Sequence, residues 1–248
     1  MARLIPLRVA CALATGLLLA APSLGGERLM VEAQAPGEAL PALAPTLTAL
    51  HLRGFGPTRL FAQPLPEGLA ELNLSDNALP VLPERFLPAK LQRLWLADNR
   101  LTTLPGSLAK LEHLTYLNLD RNRLVELPPL EALPLRWLRL NGNCLTALPP
   151  LPATLERLYA AENQLTAVPA LPAACRQVTL ADNPIAALPE GWGSGLEMLD
   201  LSRTPLEKLP QELAPWRSLR LLNLTRCPLS EAERDRIEAA LPTTTLLF

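Results

Sequence analysis

Leu91-Gln92-Arg93-Leu94-Trp95-Leu96-Ala97-Asp98-Asn99-Arg100-Leu101-Thr102-Thr103-Leu104-Pro105 sets five leucines around one asparagine and closes on a proline. Leu94-Trp95-Leu96 alternates apolar and outward residues, as a half-buried strand does. The same order returns in Leu114, Leu117, Leu119, Asn122, Leu124, Leu127 and Pro128. Working outward from Asn99, equivalent asparagines stand at Asn77, Asn122, Asn143, Asn163 and Asn183, and the intervals along the series run 22, 23, 21, 20 and 20. Phe55 precedes the series at an interval of 22, and Thr204 and Cys227 continue it at 21 and 23. Nine consecutive matches to LxxLxLxxNxLxxLP make a specific signal, and periods of this length mark a stacked repeat.

The period dictates a packing problem. One repeat cannot bury its own leucines, so neighbouring coils must share them, and stacking pairs the short strands into a parallel sheet. A buried leucine contributes about 1.5–3 kcal/mol. The asparagine sits where the chain leaves the strand. Its amide is expected to satisfy backbone groups that the turn leaves unpaired and to bridge adjacent coils, so Asn77, Asn99, Asn122, Asn143, Asn163 and Asn183 form a structural ladder. Pro83, Pro105, Pro128, Pro149, Pro169, Pro189 and Pro210 each follow an anchor by six residues. Proline donates no N–H, so this position suits the return outside the strand ladder, in an extended polyproline-like form. The shortest repeats leave little room for a helix; the longest allow about one turn.

This pattern resembles the leucine-rich-repeat family, from roughly Leu40 to Leu229. The resemblance implies an α/β repeat fold: a horseshoe solenoid with a parallel β-sheet on its concave face and irregular convex returns. It also implies a protein that binds a protein partner on that concave face and is not an enzyme. The short repeats, as in residues 148–169, look like those of bacterial type III effectors, some of which carry a ubiquitin-ligase domain using a Cys-x-Asp motif. Here the cysteines read Cys144-Leu-Thr, Cys175-Arg-Gln and Cys227-Pro-Leu. A repeat-only effector or ubiquitin-ligase-related protein acting on a host protein, and a structural envelope protein, are the alternatives.

At the N-terminus, Arg3 and Arg8 precede an apolar run from Val9 to Ala21, too short for a bilayer-spanning helix but suited to a signal peptide. Residues 1–23 are therefore read as that signal, cleaved after Ser23, with a buried first helix as the alternative. The expectation is an exported protein, periplasmic or extracellular, with no membrane span after cleavage. Residues 24–39 read as linker and N-terminal cap, and 40–229 as about nine repeats. Residues 230–248 read as a C-terminal cap, in which Ser230 and Glu233 spell a capping box for a helix to about Ala240. Leu229, Ile237, Ala240 and Leu241 are expected to face the open end of the core, with Leu246-Leu247-Phe248 packed over it.

A net charge of −1 gives no basic surplus for nucleic acid, and no cofactor or metal is expected. Glu71, Asp76, Asp98, Asp120, Glu162, Asp182 and Asp200 spread one carboxylate per repeat along a flank, which reads as a solvated edge rather than a calcium site. His51 on the inner face and His113 on the return assemble no catalytic set. Gly191-Trp192-Gly193-Ser194-Gly195 reads as a flexible loop. The candidate site is instead the middle of the sheet face. Trp95, Tyr116, Trp137 and Tyr159 fall on outward positions of four consecutive repeats, with Arg93, Asn118, Arg139 and Arg157 among them. Aromatic and arginine side chains dominate binding hot spots; plain cross-strand stacking is the alternative.

Overall fold

The computed structural model describes residues 27–33 and 40–248. The expected signal peptide, its cleavage point and Cys11 lie outside them. Eleven parallel strands form one sheet in strict chain order: β1 (Glu27–Glu32), β2 (Leu47–Arg53), β3 (Glu71–Asn73), β4 (Arg93–Trp95), β5 (Tyr116–Asn118), β6 (Trp137–Arg139), β7 (Arg157–Tyr159), β8 (Gln177–Thr179), β9 (Met198–Asp200), β10 (Leu221–Asn223) and β11 (Thr245–Leu247). From β3 to β10 every strand is three residues long, and its middle residue (Leu94, Leu117, Leu138 or an equivalent) is at most 1% exposed. The apolar residue two positions later is buried as well, so two side chains per strand feed one continuous core.

The strands are short because the chain turns sharply straight after them. The residue before each anchor is left-handed: Asp76, Asp98, Arg121, Glu162, Asp182, Arg203 and Arg226 have φ between 53° and 64°, and Gly54 and Gly142 have 77° and 66°. This costs an ordinary L-residue about 1–2 kcal/mol, less for Asp or Gly. The corner aims the anchor side chain back into the stack. Asn99 Nδ2 donates to the carbonyls of Leu96 and Ala97 in its own coil (3.0 and 3.1 Å) and of Leu74 in the coil before (2.9 Å). Its Oδ1 accepts from Leu79 N at 2.9 Å and Asn77 N at 3.2 Å. Asn122, Asn143, Asn163 and Asn183 repeat this reach toward the preceding coil. Where asparagine is replaced, Thr204 Oγ1 donates to Leu201 O at 2.7 Å, and Cys227 Sγ reaches the same carbonyl at 3.2 Å.

The returns are irregular. Helical turns occur in the longer coils: α1 (Pro57–Leu60) and two 3-10 turns, Gly106–Lys110 and Ala214–Trp216. The Gly191–Gly195 segment is not an open flexible loop. Trp192 is buried and its Nε1 donates to Pro169 O at 2.8 Å, while Gly191, Gly193 and Gly195 take φ of +71°, +76° and +80°. A Cβ on Gly193 would meet Leu196 Cδ1 at 3.1 Å and Trp216 Nε1 at 3.2 Å.

Both ends add a strand to the sheet. The stretch read as linker and N-terminal cap contains β1, a strand that pairs with β2 and buries Val31. Its charged residues Glu27, Arg28 and Glu32 break the leucine pattern, so no periodicity announces it. At the other end α2 (Glu231–Ala240) closes the core with Ile237 and Leu241, while Ala240 is exposed. Leu246 and Phe248 pack against the core as expected, but from a strand: β11 extends the sheet beside β10. Ser230 Oγ accepts from Glu233 N at 3.2 Å, one half of the capping box. The Glu233 carboxylate does not complete it. Instead it accepts from Leu209 N at 2.8 Å and from Arg236, so the helix is fastened to the last full coil.

Arg236, followed by the Leu209 N–H, holds the Glu233 carboxyl below its usual range, outweighing the opposing effect of burial. A depressed carboxylate contributes stability above its unfolded value and loses it as pH falls through the folded one. Glu233→Gln is therefore expected to cost about 1.5 kcal/mol near pH 7 and to flatten the loss of stability that the parent protein shows below pH 4.5, the ordinary glutamate value. Urea melts at pH 7 and pH 3.5 measure both; equal acid sensitivity in the two proteins would count against this role.

Candidate functional site

Strand alternation sends the first and third residues of each three-residue strand out of the sheet. In-register pairing then builds two parallel rows. Arg93, Tyr116, Trp137, Arg157 and Gln177 form one, and Trp95, Asn118, Arg139, Tyr159 and Thr179 the other. All eight residues singled out in the sequence lie on this face. They divide into two stacks rather than one patch. Trp95 leans across the rows onto Tyr116, with centroids 5.1 Å apart, Tyr116 meets Trp137 at 5.7 Å, and Arg157 lies over the Trp137 ring at 4.3 Å. Tyr159 stands apart, with Arg139 over its ring at 5.1 Å and its hydroxyl donating to Gln177 Oε1 at 3.2 Å.

The stack has a member that the pattern of large residues did not single out as part of the patch. His51 sits 6.0 Å from Trp95, its Nε2 buried without a partner. Burial, and after it the charge of Arg28, lowers its pKa below the usual histidine range, so it joins the row as a neutral ring. The margin before the strands was also missed. Thr115, Arg136 and Glu156 border a shallow depression of about 550 Å³ with Arg93, Trp95, Tyr116, Trp137 and Arg157. Its only sequence signal is a polar or charged residue seven before the anchor, which looks like any solvated position.

The acids do not form one solvated edge. Asp120 is 2% exposed and accepts from Arg139 Nε at 2.7 Å and Asn141 N at 2.8 Å, because its side chain turns in along the sheet. Asp98 and Asp182, at the left-handed corner, pair with the same corner of the next coil: Arg121 Nη2 donates to Asp98 at 2.6 Å, and Arg203 holds Asp182 in the same way. These arginines hold both carboxyls below their ordinary range. Among the described residues no three His, Cys, Asp or Glu side chains converge as a metal site needs. Cys175 fills a leucine slot, and burial pushes its thiol up to about 11, which leaves it unreactive near neutrality.

A family model described as leucine-rich repeat matches residues 67–124, the stretch that carries β3 to β5. The fold is a leucine-rich-repeat solenoid. Two solved structures share this leucine-rich-repeat architecture. YopM, a leucine-rich effector protein from Yersinia pestis, is 25% identical with a TM-score of 0.60, over 81% of this chain and 59% of that one. A Shigella effector LRR domain is 26% identical with a TM-score of 0.61, over 72% of this chain and 81% of that one. The present leucine-rich-repeat chain thus spans about three fifths of the Yersinia pestis protein's length. No curated protein sequence matches it.

Proposed function

We propose that this leucine-rich-repeat protein binds a protein partner through the centre of its concave sheet and catalyses no reaction, and that it acts after export, in the periplasm or outside the cell. The stack Trp95–Tyr116–Trp137–Arg157 is the observation that carries the reading. Aromatic rings and a guanidinium supply large contact area for little lost side-chain entropy, which is what a binding hot spot needs. Each ring is already held by its neighbour, so ordering it on binding costs less. Trp137, in the middle of the row, is 38% exposed and so accessible to a partner. Arg3, Arg8 and the apolar run that follows support export; a mature protein that retains Met1 would remove that part.

The likeness to the Yersinia pestis and Shigella effectors supports a second reading, a repeat-only effector acting on a host protein. Both readings use the same face. Trp95→Ala combined with Trp137→Ala is expected to leave the melting temperature within a few degrees, because both rings stand outside the core. It is also expected to reduce capture of the partner at least tenfold in pull-downs from envelope, culture and host-cell fractions. Unchanged capture would point to a structural protein without a discrete ligand on this face.

A further inference from the structure

The arginines of the patch are not equivalent. Arg93 is held by Glu71 at 3.2 Å and Arg139 by Asp120 at 2.7 Å. Glu156, the acid beside Arg157 in sequence, is taken by Arg136 at 2.5 Å. Among the described residues Arg157 has no carboxylate partner and makes no side-chain hydrogen bond; its contact is the Trp137 ring, 4.3 Å below it. That contact leaves the guanidinium N–H groups without a partner, and a free N–H fork receives a carboxylate with two parallel bonds. The local charge agrees. Three arginines and one glutamate line the depression, in a chain whose net charge is −1.

We infer that the depression takes an extended segment of the partner in which an aspartate or glutamate lies two residues from an apolar side chain. The inference rests on the proposed protein-binding role of this face and specifies its ligand chemistry. Tyr116, Trp137 and Arg157 share one register on three successive strands. The guanidinium lies 4.3 Å from the Trp137 centroid and the seam half of the 5.7 Å ring separation from it, so the two are at most about 7 Å apart. That limit admits the separation of residues i and i+2 on one face of an extended chain, about 6.6–6.8 Å. The carboxylate forks onto Arg157 while the apolar side chain lies on the Tyr116–Trp137 seam, with Trp95 as its outer wall.

The test selects a phage-displayed library of random 12-residue peptides on the full chain. Recovered peptides, and counterparts with each acid replaced by its amide, are then titrated by fluorescence anisotropy against the parent protein and Arg157→Gln. Recovered peptides should carry an acid two residues from Leu, Ile, Val or Phe. The amide exchange should weaken binding to the parent at least tenfold and to Arg157→Gln less than twofold. Arg157→Lys, which keeps the charge but loses the fork, should fall between them and serves if the glutamine variant does not fold. An amide exchange without effect, or equally costly in both proteins, overturns the carboxylate assignment. So does failure to recover any peptide, or binding of an anionic oligosaccharide instead. If Trp95→Ala with Trp137→Ala abolishes peptide binding while the amide exchange does nothing, the face stands and only its acid preference falls. If the double variant keeps every ligand, the face itself is misassigned.

Discussion

Asn122→Ala is expected to lower the free energy of unfolding by about 2–4 kcal/mol. Its Nδ2 donates to Leu96 O, Leu119 O and Asp120 O at 2.9, 3.1 and 3.3 Å, and its Oδ1 accepts from Leu101 N at 3.1 Å. Alanine leaves these buried backbone groups without a partner, and each unsatisfied group costs about 1–3 kcal/mol. The loss stays below the plain sum because some carbonyls keep a second donor and the site relaxes. Asn122→Thr should cost less than Asn122→Ala, since Thr204 shows that a hydroxyl can bond the carbonyl three residues back. Urea unfolding followed by circular dichroism measures the series. A loss for alanine under about 0.5 kcal/mol, the spread of ordinary surface substitutions, would mean that the ladder is not what joins the coils. Because a solenoid's stability is a sum of coil and neighbour contributions, the transition should also broaden, with the two halves separating at Asn122.

Trp216→Ala is expected to cost about 3–5 kcal/mol, the range for truncating a buried aromatic. Trp216 is 1% exposed, and its Nε1 donates to Trp192 O at 2.6 Å. Trp192 in turn donates to Pro169 O, so two indoles tie three successive returns together in a part of the molecule with little helix. Trp216→Phe should recover more than half of the loss, since the ring volume is largely restored and the Trp192 carbonyl alone goes unpaired. A thermal melt of both variants decides. An alanine variant within about 1 kcal/mol of the parent, no more than a typical point substitution costs, would show that the returns pack without this indole.

How much of this was legible in the sequence depended on whether a position obeys the period. The strands, the buried leucines, the asparagine ladder and the helix after Ser230 all follow from spacing and local chemistry. The left-handed corner was equally periodic but hidden, because Asp, Glu, Arg and Gly all occupy it and no single residue type marks it. β1 escaped because an edge strand needs hydrogen bonds from one neighbour only and can carry charge where inner strands carry leucine. Glu233 was placed in the right helix with the wrong partner and Asp120 was read as solvated, since partners a whole coil away are fixed by stacking and not by local motif. For the aromatic face, the outward residues follow from strand alternation alone. The division into two stacks required knowing which row each ring joins, and the uncommitted state of Arg157 required seeing where Glu156 turns.

The asparagine ladder also has a direction. Each amide grips carbonyl and N–H groups belonging to the coil that precedes it in the chain. A newly added turn can therefore latch onto an existing one while everything downstream is still unfolded. A polypeptide appearing N-terminus first can set its turns one after another, in the order of synthesis, with α2 and then β11 added after the last coil.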